Sequence, residues 1–105
     1  MAQFDVHRNL AANRQDIPFM VVVQSQRLDS YRHRLVVPLV ANVPPPKGEA
    51  AMHPTFRVES VDVLFYPLQM AAVSVDKLGP KVASLATEGD RIIAAIDMVI
   101  TRAWG

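Results

Sequence analysis

Hydrophobic positions along most of the chain follow the two-residue period of β-strands. Six segments combine this alternation with β-branched residues, and each predicts a strand. In chain order they are QFDV (3–6), PFMVVVQS (18–25), HRLVVPLV (33–40), TFRVES (55–60), VDVLFYPL (61–68) and MAAVSV (70–75). The polar stretch HRNLAANRQDI (7–17) predicts a loop, and QRLDSYR (26–32) predicts a hairpin connection longer than a tight turn.

The C-terminal segment changes to the helical period. Its apolar residues recur at spacings of three and four, at Ile92, Ile93, Ile96, Val99, Ile100 and Ala103. Thr87 lies three residues before Asp90, which predicts a variant capping box at the helix start. Arg102 complements the dipole at the far end. Upstream, Pro80 predicts a short helical turn within GPKVASL (79–85).

Strands first and a helix last predict a mainly β fold with a C-terminal α-helix, and short connections favour antiparallel neighbours. Pro38 interrupts the third predicted strand and cannot donate a hydrogen bond, which predicts an edge, a bulge or a sharp bend. The proline-rich stretch NVPPPKGEAAMHP (42–54) predicts a connection within one domain. We therefore expect residues 1–105 to form one domain around a strongly bent antiparallel sheet.

Composition and charge limit the class of protein. Half of the 105 residues are apolar and a fifth are charged, which fits one globular domain with a modest core. The net charge is +1, and residues 1–57 carry seven Lys/Arg against four Asp/Glu. This imbalance is too small to indicate nucleic-acid binding by itself, and it leaves an acidic protein partner open.

The sequence also excludes several kinds of site. Without cysteine there is neither a disulfide nor a thiolate metal site. His7, His33 and His53 lie in different segments without ligand spacing, so we expect no metal. No nucleophile motif or glycine-rich phosphate loop occurs. No export signal or apolar run of about 20 residues is present, so we expect a cytoplasmic protein without membrane contact.

Two short segments allow alternative interpretations. YRHRL (31–35) places an aromatic, two arginines and a histidine together, which suits either a metal-independent ribonuclease or charges facing water on an edge strand. Trp104 is the only tryptophan, and it follows Ile96 and Ile100 at a spacing of four. Its ring therefore needs either a core pocket or a partner protein.

Several segments in order resemble the CcdB toxins of toxin–antitoxin systems across nearly the whole chain. They are QFDV (3–6), VVVQSQRLDSYRHRLVVPL (21–39), MAAVSVDKLGPKVASL (70–85), and AAIDMVI (94–100) leading to Trp104–Gly105. The resemblance implies a strongly bent SH3-like barrel of the CcdB/MazF type that works as a homodimer.

The resemblance also implies a function based on binding, with no catalytic residue, cofactor or sequence-specific nucleic-acid contact. CcdB toxins bind the DNA gyrase A subunit and trap the gyrase–DNA cleavage complex, and a cognate CcdA-like antitoxin neutralises them. Trp104 and Gly105 match the family ending, where an aromatic ring stacks on a gyrase arginine. Other positions that match the gyrase-binding face are Gln3, Phe4, Ser25, Leu28, Asp29 and Asp97.

These matched positions and the function itself have alternatives. Phe4 suits the core, Ser25 and Asp29 are common in turns, and Asp97 suits a solvated helix face. The hairpin also resembles that of MazF-like endoribonucleases, in which case Arg32, His33 and Arg34 would bind phosphate and transfer protons. A third interpretation is a non-toxic homologue that retains only the fold and antitoxin binding.

Overall fold

Seven strands and one α-helix make up the regular structure of the computed structural model, which describes residues 1–44, 46–48 and 50–101. The strands are β1 (Asp5–Asn9), β2 (Phe19–Val22), β3 (His33–Ala41), β4 (Thr55–Val58), β5 (Val61–Phe65), β6 (Ala71–Ser74) and β7 (Leu78–Ser84). The helix α1 spans Gly89–Thr101. Within the described ranges, no helix has the length and apolar content that crossing a bilayer requires.

All seven strands join one antiparallel sheet with the order β4-β5-β3-β2-β1-β7, and β6 pairs with β3 outside this path. Along one edge β3 pairs with β2, and along the other it pairs first with β6 and then with β5. Because one strand serves two successive partners, the sheet curls into a half-barrel. The predicted bent antiparallel sheet with a C-terminal helix is confirmed.

Pro38 lies where β3 changes partner. The β6 pairing ends at Val36, and the β5 pairing begins at Leu39. On this side the Tyr66 N–H donates to the Pro38 carbonyl at 3.2 Å. A residue in an antiparallel strand directs its N–H and its carbonyl to the same side, so the missing proline N–H falls in this gap. Pro38 is buried in the long central strand, and its missing donor leaves the ladder to β2 intact.

The main core lies on one face of the sheet, beneath α1. Its buried members on the sheet and the following turn are Val6, Phe19, Val21, Val23, Val37, Leu39, Ala41, Phe56, Val58, Val63, Phe65 and Leu85. From α1, Ile92 and Ala95 are fully buried in the same cluster, and Ile96 packs against it. Burying one such aliphatic or aromatic side chain contributes about 1.5–3 kcal/mol. The opposite face carries a smaller cluster formed by Val22, Val36 and Leu78.

Segment 79–85 forms a strand over residues 79–84 instead of the predicted helical turn. It belongs to β7, which pairs with β1 at the outer edge of the sheet. The register shifts between His7 and Asn9, and Pro80 falls opposite this irregularity. An edge strand with a bulge tolerates proline because no ladder donor is required there. The predicted helical turn was therefore wrong, since pairing with β1 outweighs the local preference of Pro80.

Two boundaries also differ from the sequence expectation. The first strand is β1 at Asp5–Asn9, so His7, Arg8 and Asn9 belong to the sheet and not to the predicted loop. The helix begins at Gly89, directly after a 3-10 turn at Ala86–Glu88 that contains Thr87. Just before this turn the Ser84 hydroxyl accepts from the Ala86 N–H at 3.2 Å, a different bond from the one predicted for Thr87.

Asn9 anchors the loop between β1 and β2. Its side chain is only 3% exposed, and its amide donates to Asn13 Oδ1 and to the Ile17 carbonyl, both at 2.8 Å. Its Oδ1 accepts from the Ala11 N–H at 3.0 Å. Both the nitrogen and the oxygen of the Asn9 side-chain amide are hydrogen-bonded, and these bonds connect the first residues of the loop to its last residues.

Asn9→Asp should lower the free energy of unfolding by about 2 kcal/mol, because a carboxylate cannot donate to the Asn13 and Ile17 oxygens. Urea unfolding followed by circular dichroism measures the change. Asn13→Asp is the matched control, since it keeps the acceptor that Asn9 uses. Equal losses of stability in the two variants would contradict this role of Asn9.

Candidate functional site

The β2–β3 loop, residues 23–32, carries three of the residues matched to a binding face: Ser25, Leu28 and Asp29. The Ser25 hydroxyl accepts from the Arg27 N–H at 3.2 Å and so begins a 3-10 turn at Gln26–Leu28. Leu28 is 46% exposed, and none of the residues in this turn is buried. The turn therefore presents its side chains outward.

Arg34 braces this loop from below. It is 7% exposed, and its guanidinium donates to the carbonyls of Asp29 at 3.0 Å, His33 at 3.1 Å and Tyr31. Its Nε also lies 3.5 Å from Asp29 Oδ1, an ion pair without hydrogen-bond geometry. A planar group with five donors suits several carbonyls at once. Arg34 is therefore a structural residue, and its guanidinium is not available to a ligand.

Gln24 adds a second brace that the sequence did not indicate. Its side-chain amide donates to the Leu28 carbonyl at 3.2 Å and the His33 carbonyl at 3.4 Å. Its Oε1 accepts from the Leu35 N–H at 3.0 Å. A single polar residue after a strand gives no sequence signal for this role, because its partners become neighbours only when the hairpin closes.

The N-terminal segment lies alongside this loop. The α-ammonium of Met1 contacts Asp29 Oδ2 at 2.8 Å, and the Gln3 side-chain amide donates to the Val23 carbonyl at 3.1 Å. The carboxylate of Asp29 thus lies between the Met1 ammonium and the Arg34 guanidinium. The structure accordingly places Gln3 beside the loop that carries Ser25, Leu28 and Asp29.

Phe4 has a structural position. Its backbone adopts a positive φ of 71°, with its N–H bonded to the Val22 carbonyl at 2.6 Å and its carbonyl to the Leu85 N–H at 2.9 Å. The half-buried ring packs against the main core. It also covers Gly89, where an added Cβ would lie 2.9 Å from Phe4 Cε2. Phe4 therefore links the N-terminal segment to the start of α1.

The outer face of α1 is partly apolar. Ile93 is 42% exposed and Ile100 is 59% exposed, while Asp97 lies exposed between them at helical spacing. Both isoleucines belong to the predicted apolar stripe. The buried face of α1 is therefore narrower than that stripe. Trp104 and Gly105, which follow α1 in the sequence, lie outside the described residues.

The candidate catalytic group Arg32, His33 and Arg34 is not gathered into one site. Arg34 is held by backbone carbonyls, whereas Arg32 and His33 are exposed. Tyr31, with 64% exposure, also points outward. In the part of the chain that the structure describes, no three His, Asp or Glu side chains are grouped as metal ligands.

Comparison with known proteins identifies the fold and the family. A comparison with curated protein sequences found no match. Mycobacterium tuberculosis toxin MazF-mt6 superposes with a TM-score of 0.73 at 12% identity, covering 92% of this chain and 96% of that one. An endoribonuclease in complex with its cognate antitoxin, from a mycobacterial species, gives 0.74 at 11% identity, covering 100% and 99%. These two similarities show a shared fold.

The sequence carries the family assignment. The family model described as CcdB protein matches residues 3–102, which include the whole sheet and α1. The match therefore covers the β2–β3 loop, the N-terminal segment beside it and the exposed face of the helix. The chain belongs to the CcdB family of toxin–antitoxin system toxins.

Proposed function

We propose that this protein is a toxin that binds the DNA gyrase A subunit and traps the gyrase–DNA cleavage complex. The observation that carries the proposal is the exposed face of α1, where Ile93, Asp97 and Ile100 point away from the core. In the sequence Trp104 lies three residues after the end of this helix. Since gyrase acts on the chromosome, we expect the protein to work in the cytoplasm.

The helix suits insertion into a groove of a partner. Two isoleucines that remain half exposed gain free energy when a partner covers them, at about 25 cal/mol per Å² of apolar surface. An exposed tryptophan would add stacking on a cation of about 0.5–2 kcal/mol. Asp97 on the same face can select a partner with a complementary charge or donor.

The β2–β3 loop supplies a second, rigid contact. Leu28 is exposed at its tip, and the Arg34 and Gln24 braces hold the backbone beneath it. A loop that is already ordered loses little conformational entropy when it binds. Gln3 and Ser25 on the same edge can donate and accept hydrogen bonds around Leu28. These features support a binding protein without a catalytic residue of its own.

The antitoxin is the second proposed partner. The mycobacterial endoribonuclease of similar fold was solved with its cognate antitoxin. By analogy, we propose that a CcdA-like antitoxin covers the basic half of this chain, residues 1–57, and the groove of the dimer. A partly disordered antitoxin would fold as it binds and so cover a large surface.

An endoribonuclease is the alternative function, favoured by the fold shared with MazF-mt6 and the mycobacterial endoribonuclease. In that case Arg32 and His33, both exposed, would contact the substrate. The engagement of Arg34 with three carbonyls argues against it as a phosphate ligand. Purified protein that cleaves RNA without gyrase would establish this alternative.

A plasmid cleavage assay tests the gyrase proposal. Supercoiled plasmid is incubated with gyrase and the protein, and the complex is trapped with detergent and protease. Linear DNA should accumulate only when both proteins are present. No linear DNA at a large excess of the folded dimer would refute poisoning, and normal growth on expression would then indicate a non-toxic homologue.

We expect the protein to be a homodimer at micromolar concentration. A chain of 105 residues supports only a modest core, and it leaves Leu10, Val43 and Leu68 exposed outside the proposed gyrase-binding face. A two-fold dimer would cover part of this surface. Light scattering coupled to size exclusion measures the mass, and a mass of one chain across the micromolar range would exclude the dimer.

A further inference from the structure

Two arginines of the β2–β3 loop have no carboxylate partner among the described residues. Other arginines are paired, in the ion pairs Arg8–Glu59, Arg34–Asp29, Arg57–Asp62 and Arg91–Glu88. Arg14 donates to the Ala11 carbonyl. Within the described part of the chain, Arg27 and Arg32 have neither an ion pair nor a side-chain hydrogen bond, and both are exposed. Among the described arginines, the two whose side chains have neither kind of partner thus both lie on this loop.

The charged groups next to the loop do not neutralise Arg27 and Arg32. The Asp29 carboxylate is already shared by Arg34 and the Met1 ammonium. The 3-10 turn at Val75–Lys77 meets the loop through a Val75 N–H that donates to the Arg32 carbonyl at 3.1 Å. That turn adds one exposed acid and one exposed base, Asp76 and Lys77, whose charges cancel.

The loop also presents a flat aromatic surface. Tyr31 is 64% exposed, the highest value among the large hydrophobic side chains of the described residues. It lies directly before Arg32, and its carbonyl is held by Arg34 beneath the loop. An exposed ring beside unpaired guanidinium groups is the combination on which single-stranded nucleic acids bind.

Most backbone carbonyls of the loop already accept hydrogen bonds. Carbonyl groups that already accept hydrogen bonds belong to residues 25, 26, 28, 29, 31, 32 and 33. An extended peptide usually binds through backbone hydrogen bonds to a free edge. A ligand of this loop must instead be recognised through charge and ring faces, which phosphates and unpaired bases supply together.

We propose that the outer face of the β2–β3 loop binds single-stranded nucleic acid. Phosphates contact Arg27 and Arg32, and a base stacks on Tyr31. The site does not depend on gyrase poisoning and implies no cleavage. Phosphate contacts and base stacking do not distinguish ribose from deoxyribose, so RNA and DNA bind alike. Duplexes bind more weakly because their bases are not free to stack.

Fluorescence anisotropy with a labelled RNA of about eight nucleotides tests this site. We expect a Kd on the order of 10–100 μM at low salt, weakened roughly tenfold between 50 and 200 mM salt. Tyr31→Leu should weaken binding about tenfold, whereas Tyr31→Phe should keep it. Arg27→Gln and Arg32→Gln should each reduce the salt dependence. Arg57→Gln removes the same charge from a distant, paired site and should bind as the unchanged protein does.

Several results would overturn the proposal. They include no anisotropy change at about 1 mM protein, above the usual non-specific range, full binding by Tyr31→Leu, and an equal loss in Arg57→Gln. A glutamate-rich peptide that binds more tightly than RNA, and loses affinity in the same loop variants, would assign the loop to an acidic protein segment. Thermal melts confirm that each variant is folded, as expected for exposed side chains.

Discussion

Trp104→Ala is expected to abolish gyrase poisoning while the dimer stays folded and still binds its antitoxin. The tryptophan follows α1, whose described part contributes Ile92 and Ala95 to the core, and we expect the Trp104 ring to be exposed. An exposed ring contributes little to folding, so the melting temperature should change by only a few degrees. Loss of the ring removes the stacking contact at the centre of the proposed interface, where truncating an aromatic anchor costs about 2 kcal/mol or more.

The plasmid cleavage assay, run with increasing amounts of the variant, measures the loss. Trp104→Phe keeps a smaller ring and should retain partial activity. Deletion of Gly105 alone distinguishes the effect of losing the ring from the effect of losing the terminal residue. Deletion of both Trp104 and Gly105 should behave as Trp104→Ala does. Thermal melting decides the alternative. A core tryptophan would cost about 3–5 kcal/mol on removal, and a steep fall of the midpoint would place Trp104 in the core.

Arg34→Met is expected to cause the largest loss of stability of any substitution in the β2–β3 loop region. The change leaves the carbonyls of Asp29, Tyr31 and His33 without their donor, and it leaves the Asp29 carboxylate with one cation fewer. Removing a buried charged donor of this kind costs about 3 kcal/mol. For a domain of this size, that corresponds to a fall in the melting temperature of roughly 10–20 °C.

Differential scanning calorimetry measures the fall in melting temperature of Arg34→Met, and two further variants serve as comparisons. Arg34→Lys keeps the charge but loses the planar fork, so it should recover only part of the stability. Arg57→Met is the matched control, because Arg57 and Asp62 form an ion pair that is largely exposed on both sides. Such pairs are worth about 0–1 kcal/mol. A small effect of Arg34→Met would show that the loop does not need its brace.

The loop brace also connects folding to the proposed function. In the proposed function Ser25, Leu28 and Asp29 contact gyrase, and Arg34 and Gln24 hold the loop that carries them. Arg34→Lys should therefore weaken gyrase binding more than its loss of stability alone would explain. Arg34 would then be a positioning residue, acting through the loop without touching the partner.

Local pattern in the sequence determined the class of fold and most of its elements. Alternation with β-branched residues located β2 to β6, because strands with one buried face need a period of two. The spacing of Ile92 and Ile96 located α1, whose buried face follows the helical period. The order of segments was sufficient to indicate the CcdB family, which the family match over residues 3–102 confirms.

Tertiary structure alone decided the features that depend on distant partners. Segment 79–85 became a strand because β1 offered it a ladder, and Pro38 is accommodated because β3 changes partner beside it. Arg34 resembled a phosphate ligand in the sequence, but the closed hairpin surrounds it with carbonyls. The type of a side chain determines which hydrogen-bond and ionic partners it could bind. Only the folded chain determines which of those partners lie within bonding distance. For the same reason the sequence could name Leu28 and Tyr31 but not show that both point outward from a braced loop.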